Sequence, residues 1–206
     1  MWTLSYKAPL EEDKLERSPK PLSGDPFLGS VDAPVTVIEV ADIRCPGCKF
    51  FFENVEPQLQ HYYIKKGLVK FYFWDMIIDS VSENTSQATW CANDQGKYEE
   101  YRNLILVRSD SFDTAGPRSN YSSEYLVKMA EELGLERSAF STCLESEKHL
   151  DRLNERYLQG QALNPNVFPT VFVDGRRLAD GRFLFAEIGA EVEKSLAKQK
   201  ESNEVN

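Results

Sequence analysis

The sequence predicts an α/β fold that is interrupted by an all-helical insertion. Two segments rich in β-forming residues frame a helical middle: a strand–helix–strand pattern covers 35–74, and a hairpin pattern followed by a helix covers 170–198. With 206 residues, 41% of them hydrophobic, the chain is long enough to bury one sizeable core.

The first segment has the pattern of a βαβ unit. Residues 35–40 and 68–74 are apolar, β-branched and aromatic runs that are typical of buried strands. Residues 46–66 between them repeat apolar side chains at helical spacing, with Pro57 expected to kink the helix and Gly67 to end it. We therefore expect two parallel strands joined by a right-handed crossover.

The middle of the chain is predicted to be helical, because apolar residues recur there at helical spacing and Gly134 and Gly160 follow as stop signals. Ser, Asp, Gly and Pro between the first two helices predict a loop at 108–120. The predicted helices cover 85–106, 122–133, 136–144 and 147–158.

The last segment returns to strand pattern. Residues 170–173 form one short run, Asp174-Gly175 is a hairpin-turn pair, and 176–178 form the returning strand. An amphipathic helix over 183–198 should cover the sheet. We predict that 26–84 and 162–200 form the α/β domain, and that 85–161 form the helical insertion.

The two ends of the chain are predicted to lie outside this fold. Residues 1–25 are rich in Pro, Ser and charge and show no apolar period, which indicates a flexible tail or stalk, with a short helix over 10–17 as the alternative. Residues 201–206 are polar and are predicted to be a disordered tail.

The chemistry is indicated by Cys45-Pro46-Gly47-Cys48 at the predicted strand-to-helix turn. Two cysteines on the first helical turn can close a disulfide, and the free amides and helix dipole there stabilise a thiolate. The alternatives are half of a zinc site or an inert disulfide. A zinc site needs further ligands, and Cys91, Cys143 and the two histidines, His61 and His149, show no ligand spacing. We expect redox activity and no metal.

Two other residues could take part in the chemistry of this motif. Glu39 lies in an apolar strand, on the face opposite Ile38 and Val40; buried there, its carboxyl group could exchange a proton with Cys48. The alternative is that its carboxylate reaches solvent. Pro169 begins a strand, where its peptide bond could be trans at a sheet edge, or cis, leaving the Phe168 backbone free to pair with an extended peptide.

Several of these residues together resemble the DsbA-like thiol-disulfide oxidoreductases. The likeness extends from about residue 25 to 198 in the same order and spacing. It is carried by Asp32-Ala33-Pro34-Val35-Thr36-Val37-Ile38-Glu39, Cys45-Pro46-Gly47-Cys48, Pro57, residues 87–101 and Phe168-Pro169-Thr170.

The resemblance implies a thioredoxin-like fold with an inserted helical domain. It also implies that Cys45 is the attacking thiol, Cys48 the resolving thiol and Glu39 the buried proton carrier. Pro169 would be a cis-proline that faces the cysteines. Substrate would then contact Phe168 and Pro169, together with Pro46 and Gly47 of the motif.

The chain departs from that family at two positions. Gly47 stands where many members have His or another bulky residue, so the pKa of Cys45 would be lowered by the helix terminus and by Arg44 or Lys49. Phe168 stands where Thr or Val is frequent; its size should favour apolar partner segments or shield the disulfide.

Cys91 and Cys143 lie in the predicted insertion. They could be two buried, inert thiols, or a structural disulfide that closes a loop of roughly fifty residues and stabilises the fold by about 4 kcal/mol in the chain-entropy model. Related proteins with cysteines at similar places favour the bridge, which would indicate an oxidising compartment.

Charge and hydropathy limit the partners. A formal net charge of −9 argues against a nucleic-acid surface, no stretch has the length of a membrane span, and 1–24 lack the features of a secretory signal. Either the protein is cytoplasmic, or an export or anchoring segment lies upstream of the given chain.

We predict an extracytoplasmic thiol-disulfide oxidoreductase, in the periplasm or on a surface facing the outer membrane. It would introduce or rearrange disulfides in exported or cell-surface proteins, need no cofactor, and be re-oxidised by a membrane redox partner. The alternatives are a reductase that uses the same residues, and a non-catalytic module that binds polypeptides.

Overall fold

In the computed structural model of this chain, a four-stranded mixed sheet organises the molecule. The structure describes residues 18–43, 45–108, 121–163, 167–179 and 181–204. The strands are β1 (Val35–Ala41), β2 (Val69–Asp75), β3 (Thr170–Val173) and β4 (Arg176–Arg177), in the spatial order β2-β1-β3-β4. β1 is parallel to β2 and antiparallel to β3, and β3 is antiparallel to β4.

The predicted βαβ unit is confirmed, with its helix broken near Pro57. Helix α1 (Pro46–Asn54) ends before Val55, α2 (Glu56–Leu59) continues it, and a π-helical turn (Gln60–Ile64) leads to Gly67 and β2. Proline has no amide hydrogen and crowds the preceding helical turn, so the hydrogen-bond ladder is interrupted where Pro57 enters it.

The helices of the insertion begin and end elsewhere than predicted. They are α3 (Ser80–Asn93), α4 (Tyr98–Arg108), α5 (Ser123–Glu132), α6 (Arg137–Glu145) and α7 (Leu150–Leu163).

The prediction of one helix over 85–106 is wrong in two respects. The first helix begins five residues earlier, because the carboxylate of Asp79 accepts hydrogen bonds from the amides of Val81 and Ser82 and caps it. The helix then stops before Gly96, whose φ of 71° is left-handed, and the chain starts again as α4.

The predicted stop at Gly160 is also wrong. Gly160 lies inside α7, where a Cβ atom would come within 2.1 Å of the sulfur of Met76. This glycine therefore allows the helix to approach the chain just after β2, and the helix continues to Leu163.

The hairpin and the last helix follow the predicted order. Asp174 (φ 44°) and Gly175 (φ 79°) form the turn between β3 and β4. Helix α8 runs over Phe185–Glu204, so it includes residues 201–204, which were predicted to be a disordered tail. Residues 205–206 lie outside the described residues.

The N-terminal segment is only partly described. Residues 1–17, with the predicted helix over 10–17, lie outside the described residues, as do 109–120 of the predicted loop. The prediction of a tail as far as residue 25 is wrong for its last residues: Asp25 is buried and pairs with two arginines of α7, Arg152 and Arg156. Leu28 then pairs with Phe71 at the β2 edge.

The core lies on both faces of β1. Ile38 and Val40 pack on one face with Trp74, whereas Val35 and Val37 belong to the larger cluster on the other face. Because side chains alternate along a strand, Glu39 points into the larger cluster, on the side of α1 and α4. Within the described part of the chain, no helix is both long enough and apolar enough to cross a membrane.

Candidate active site

The two cysteines of the motif lie at the start of α1. Cys45 is the N-cap residue and is half-buried, Pro46 occupies the first turn, and Cys48 is only 1% exposed. Both carry free thiols in this structure. The amide of Cys45 donates to the carbonyl of Asp42 (2.9 Å), and the amide of Lys49 donates to the carbonyl of Cys45 (3.0 Å). The chain from β1 thus presents Cys45 at the open end of the helix.

The surroundings of the two thiols shift their pKa values in opposite directions. A hydrogen bond from the Cys48 thiol and the amides of Cys48 and Gly47 lower the pKa of Cys45 to about 6, although burial and the nearby Asp42 oppose this. Burial raises the pKa of Cys48, and its hydrogen bond to Cys45 and the nearby Glu39 raise it further. At neutral pH the thiolate therefore forms at Cys45, while Cys48 holds its proton.

Lys49, one of the two cations expected to act on Cys45, has other partners in the structure. Lys49 is buried, and its ammonium group donates to the carbonyl of Val107 (3.1 Å) and lies 3.7 Å from Glu53. The prediction for Arg44 lies outside the described residues. Hydrogen bonds at the helix terminus are the main causes of the lowered pKa of Cys45.

Phe168 and Pro169 lie across from the motif. The peptide bond between them is cis, and the Cys45 thiol donates to the carbonyl oxygen of Phe168 (3.6 Å). A Cβ atom at Gly47 would lie 2.8 Å from that oxygen and 3.3 Å from Cδ of Pro169. Glycine thus leaves the space into which the Phe168 carbonyl fits. Pro46, the residue before Gly47, is exposed.

Glu39 lies beneath the cysteines. It is 1% exposed, and its Oε1 has no hydrogen-bond partner among the described residues. Burial raises the pKa of its carboxyl group well above 4.5; Arg102 opposes this rise, while Glu56 and Cys45 add to it. Glu39 is therefore a buried acid that keeps its proton at pH values where an exposed glutamate has lost it.

Two charged residues near Glu39 were not found from the sequence. Arg102 of α4 and Glu56 of α2 form an ion pair (Nη2 to Oε2, 2.5 Å), and each is 1% exposed. Charged residues on helices usually lie in solvent, so neither stood out. The available signal was the position of Arg102, next to Tyr101 and three residues before Ile105, within a stripe of residues that are buried in the core.

Cys91 and Cys143 form a disulfide (S–S 2.01 Å, Cα–Cα 5.8 Å) that ties α3 to α6. His149 lies next to it, which the sequence spacing did not indicate; the ligand atoms of these three residues lie within 4.8 Å of one another. Because the two sulfur atoms are bonded to each other, this group holds no pair of thiolates that could bind zinc.

Comparison with known proteins identifies the family. A family model described as thioredoxin matches residues 22–193. The chain belongs to this family. Over 187 residues, this thioredoxin-family chain is 27% identical to disulfide bond formation protein D of Bacillus subtilis, a match that covers 85% of the chain and 78% of that protein.

Solved structures support the same assignment. The crystal structure of oxidised BdbD from Bacillus subtilis superposes with a TM-score of 0.75 at 25% identity, covering 87% of this chain and 97% of that one. Wolbachia pipientis alpha-DsbA1 shares the fold, with a TM-score of 0.71 at 22% identity over 86% of this chain and 94% of that one. The resemblance and the fold class predicted from the sequence are confirmed: this thioredoxin-family chain is a DsbA-like protein disulfide oxidoreductase.

Proposed function

We propose that this enzyme introduces or rearranges disulfides in exported proteins through Cys45-Pro46-Gly47-Cys48. The observation that supports this most directly is the division between an accessible thiol with a pKa of about 6 and a buried thiol with a raised pKa, on one helical turn. Such a pair can form a mixed disulfide at Cys45 and then resolve it from within the protein.

In the oxidising direction, a substrate thiolate attacks Sγ of Cys45 in the Cys45–Cys48 disulfide. The bond between the two cysteines breaks, a mixed disulfide forms at Cys45, and the electron pair leaves on Cys48. A second substrate thiolate then attacks the substrate sulfur of the mixed disulfide, which releases Cys45 as a thiolate. The substrate loses two electrons and the enzyme gains them.

Glu39 serves as the proton carrier for Cys48. When Cys48 leaves as a thiolate in a buried site, the protonated carboxyl group of Glu39 supplies the proton that neutralises it. In the reverse step the Glu39 carboxylate removes that proton, so that Cys48 can attack the mixed disulfide. The burial of both groups and the effect of Glu39 on the pKa of Cys48 support this role.

We propose that substrate binds at Phe168 and Pro169, bordered by Pro46 and Gly47. An extended peptide can pair with the backbone before β3 and bring its sulfur atom to Cys45. The part-buried Phe168 ring favours apolar segments of the partner. The four strands with α1, α2 and α8 would supply this site as the thioredoxin-like domain, predicted at 26–84 and 162–200. Helices α3 to α7 would form the helical insertion, predicted at 85–161.

The proposed location is extracytoplasmic, with exported thiol proteins as substrates and a membrane redox partner that restores the Cys45–Cys48 disulfide. The disulfide between Cys91 and Cys143 supports this location, because disulfides of this kind persist mainly in oxidising compartments.

The thiol assignment can be tested by alkylation. In Cys48→Ser, the rate of iodoacetamide modification of Cys45 should have its pH midpoint near 6, because serine can still donate to the Cys45 sulfur. In Cys45→Ser, Cys48 should react far more slowly at every pH up to 9. A faster or more acidic Cys48 would contradict the roles. Retention of full biological activity by Cys45→Ser would favour the non-catalytic binding module.

The direction of the reaction can be tested by equilibration with glutathione buffers. The pKa of Cys45 lies between the values of about 7 for thioredoxin and about 3.5 for DsbA. We therefore expect a potential between roughly −270 and roughly −120 mV, which are the values of those two proteins. A potential at or below that of thioredoxin would favour the reductase.

A further inference from the structure

We propose that the buried ion pair of Arg102 and Glu56 controls the protonation of Glu39, so that Arg102 and Glu56 are positioning residues for the proton step at Cys48. This inference rests on the proposed role of Glu39 and extends it. Both residues come from helices that are separate from the strand of Glu39, and neither touches the cysteines in the contacts described above.

The register of the sheet places Arg102 beside Glu39. Phe73 of β2 pairs with Glu39 of β1, so their side chains leave the same face of the sheet. The guanidinium carbon of Arg102 lies 5.1 Å from the centroid of the Phe73 ring. The positive charge of Arg102 therefore lies over Phe73, the cross-strand neighbour of Glu39, inside the core.

Glu56 also binds the guanidinium group of Arg102, so the positive charge of Arg102 is shared between Glu56 and Glu39. Its Oε2 lies 2.5 Å from Nη2 of Arg102, and its Oε1 accepts a hydrogen bond from Gln60 (3.2 Å). The guanidinium is also held by Asn103, whose side-chain oxygen accepts from Nε (3.2 Å). Removal of Glu56 would leave Arg102 to favour the carboxylate of Glu39, whereas removal of Arg102 would leave Glu39 facing a buried like charge.

Other ionisable groups surround the cluster and have to be considered. Cys45, the N-cap residue of α1, and Cys48 interact electrostatically with Glu39. Burial raises the pKa of Glu99 on α4, and Arg102 opposes this rise. Tyr98 interacts with Arg102, and Asp42 raises the pKa of both cysteines. The two thiols no longer titrate in the oxidised enzyme, which leaves Arg102 and Glu56 as the principal charges acting on Glu39.

The proposed mechanism depends on the balance between the effects of Arg102 and Glu56 on Glu39. When glutathione thiolate attacks Cys45 in the oxidised enzyme, the disulfide breaks, a mixed disulfide with glutathione forms, and Cys48 departs with the electron pair. Its proton comes from the carboxyl group of Glu39. If Glu39 is already ionised, the thiolate of Cys48 forms next to another anion without a proton donor, and the step is slower.

The test compares Glu56→Gln, Arg102→Met and the double variant that carries both changes, all in the oxidised state. The Glu39 carboxyl carbon is followed against pH by ¹³C NMR, and its signal is assigned by its loss in Glu39→Gln. We expect Glu56→Gln to lower the midpoint by about one pH unit and Arg102→Met to raise it by about one unit. The double variant should lie between the two, somewhat above wild type, because Arg102 acts on Glu39 more strongly than Glu56 does.

Arg108→Met is the matched control, because it removes an arginine from the same helix but at a partly exposed position, where Arg108 pairs with Glu132. It should leave the midpoint unchanged. Since a single change leaves an uncompensated buried charge, near-ultraviolet circular dichroism checks the fold, and the neutral double variant provides a folded reference. Shifts in the same direction for both single variants, or no shift in either folded variant, would overturn the inference.

The rate of reduction by glutathione supplies a second measurement. We divide this rate by the concentration of glutathione thiolate to remove the titration of glutathione itself. The corrected rate should fall as Glu39 ionises. Relative to wild type, the fall should occur at a lower pH in Glu56→Gln and at a higher pH in Arg102→Met. If the wild-type enzyme does not exchange its disulfide with glutathione, the proposed function fails. The order of the NMR midpoints still decides separately whether the ion pair controls Glu39.

Discussion

At the residue scale, the role of Gly47 changes most between sequence and structure. The family comparison indicates only that glycine supplies no group to stabilise the Cys45 thiolate. The structure adds that the absence of a side chain leaves room for the Phe168 carbonyl oxygen, to which the Cys45 thiol donates. This contact joins residues that are 123 positions apart. No local pattern predicts it, whereas the motif itself was predictable from four adjacent residues.

The space at Gly47 leads to a prediction for Gly47→Ala. The new Cβ atom requires the Phe168 carbonyl to move, so we expect a loss of about 1–3 kcal/mol in the free energy of unfolding of the reduced protein. We also expect a larger loss of rate with a cysteine-containing peptide than with dithiothreitol, because only the peptide uses the backbone at Phe168.

Urea unfolding and stopped-flow kinetics would measure both effects. Gly189→Ala in α8 is the control, since its new Cβ atom meets only the side chain of Tyr63 and adds no atom against Phe168. Equal rate losses with the peptide and with dithiothreitol would contradict the specific role of this space. Histidine at position 47 would have the same steric conflict with the Phe168 carbonyl. We therefore do not expect its ring to stabilise the Cys45 thiolate unless the Phe168 backbone moves.

At the scale of elements, the sequence predicts order and type better than ends. The βαβ unit, the hairpin and the helical middle follow from apolar periodicity. The start of α3 depends on the side chain of Asp79, and the continuation of α7 through Gly160 depends on Met76, which comes from another part of the chain. The Asp79 cap could have been predicted, because it is adjacent in sequence to the helix it begins. Gly160 could not, because a glycine required by tertiary packing looks the same in the sequence as a glycine that ends a helix.

The disulfide between α3 and α6 supplies a prediction at this scale. Cys91 and Cys143 are separated by 52 positions, and a cross-link over this length stabilises by about 4 kcal/mol in the chain-entropy model. The variant with alanine at both positions should lose about this much free energy of unfolding and still exchange disulfides at Cys45.

Urea unfolding of the two forms would measure the loss. The control is Cys45→Ser with Cys48→Ser, which should retain the stabilisation by the insertion disulfide. Mass spectrometry after stepwise reduction should show that the Cys45–Cys48 bond opens first. Earlier reduction of the insertion disulfide would contradict a structural role and weaken the extracytoplasmic proposal.

At the scale of the whole molecule, a buried charge cluster connects three parts of the chain. Arg156 of α7 is fully buried, lies 3.1 Å from Asp25 of the N-terminal segment and 3.4 Å from Asp75 of β2, and covers the ring of Trp74. The sequence alone predicts that Asp25 belongs to a tail. Its partners are distant in sequence, and an aspartate in a polar segment gives no sign of burial.

This cluster should be essential for stability. Arg156→Met removes the cation between two buried carboxylates, so we expect a loss of about 3–5 kcal/mol in the free energy of unfolding. Arg137→Met, at an exposed ion pair with Glu131, is the control and should change stability by less than about 1 kcal/mol. Similar losses in the two variants would show that burial does not distinguish these pairs.

Asp75 should also give the stability of the molecule a measurable pH dependence. Burial raises the pKa of its carboxyl group to about 6, against an ordinary value of 3.8, although Arg156 lowers it. The folded protein therefore binds this proton more tightly than the unfolded chain does. Between pH 4 and 6 the folded state holds more protons, so stability falls as the pH rises, by about 3 kcal/mol in total for this group.

The variant Asp75→Asn should lack this fall. Its free energy of unfolding relative to wild type should increase by about 3 kcal/mol between pH 4 and 7, whatever constant offset the lost ion pair with Arg156 causes. Urea unfolding of the oxidised proteins across this range would provide the difference. Glu39 also binds its proton more tightly in the folded state, so both proteins keep its contribution and it cancels in the comparison. Parallel stability curves would mean that Asp75 ionises as readily in the folded protein as in the unfolded chain.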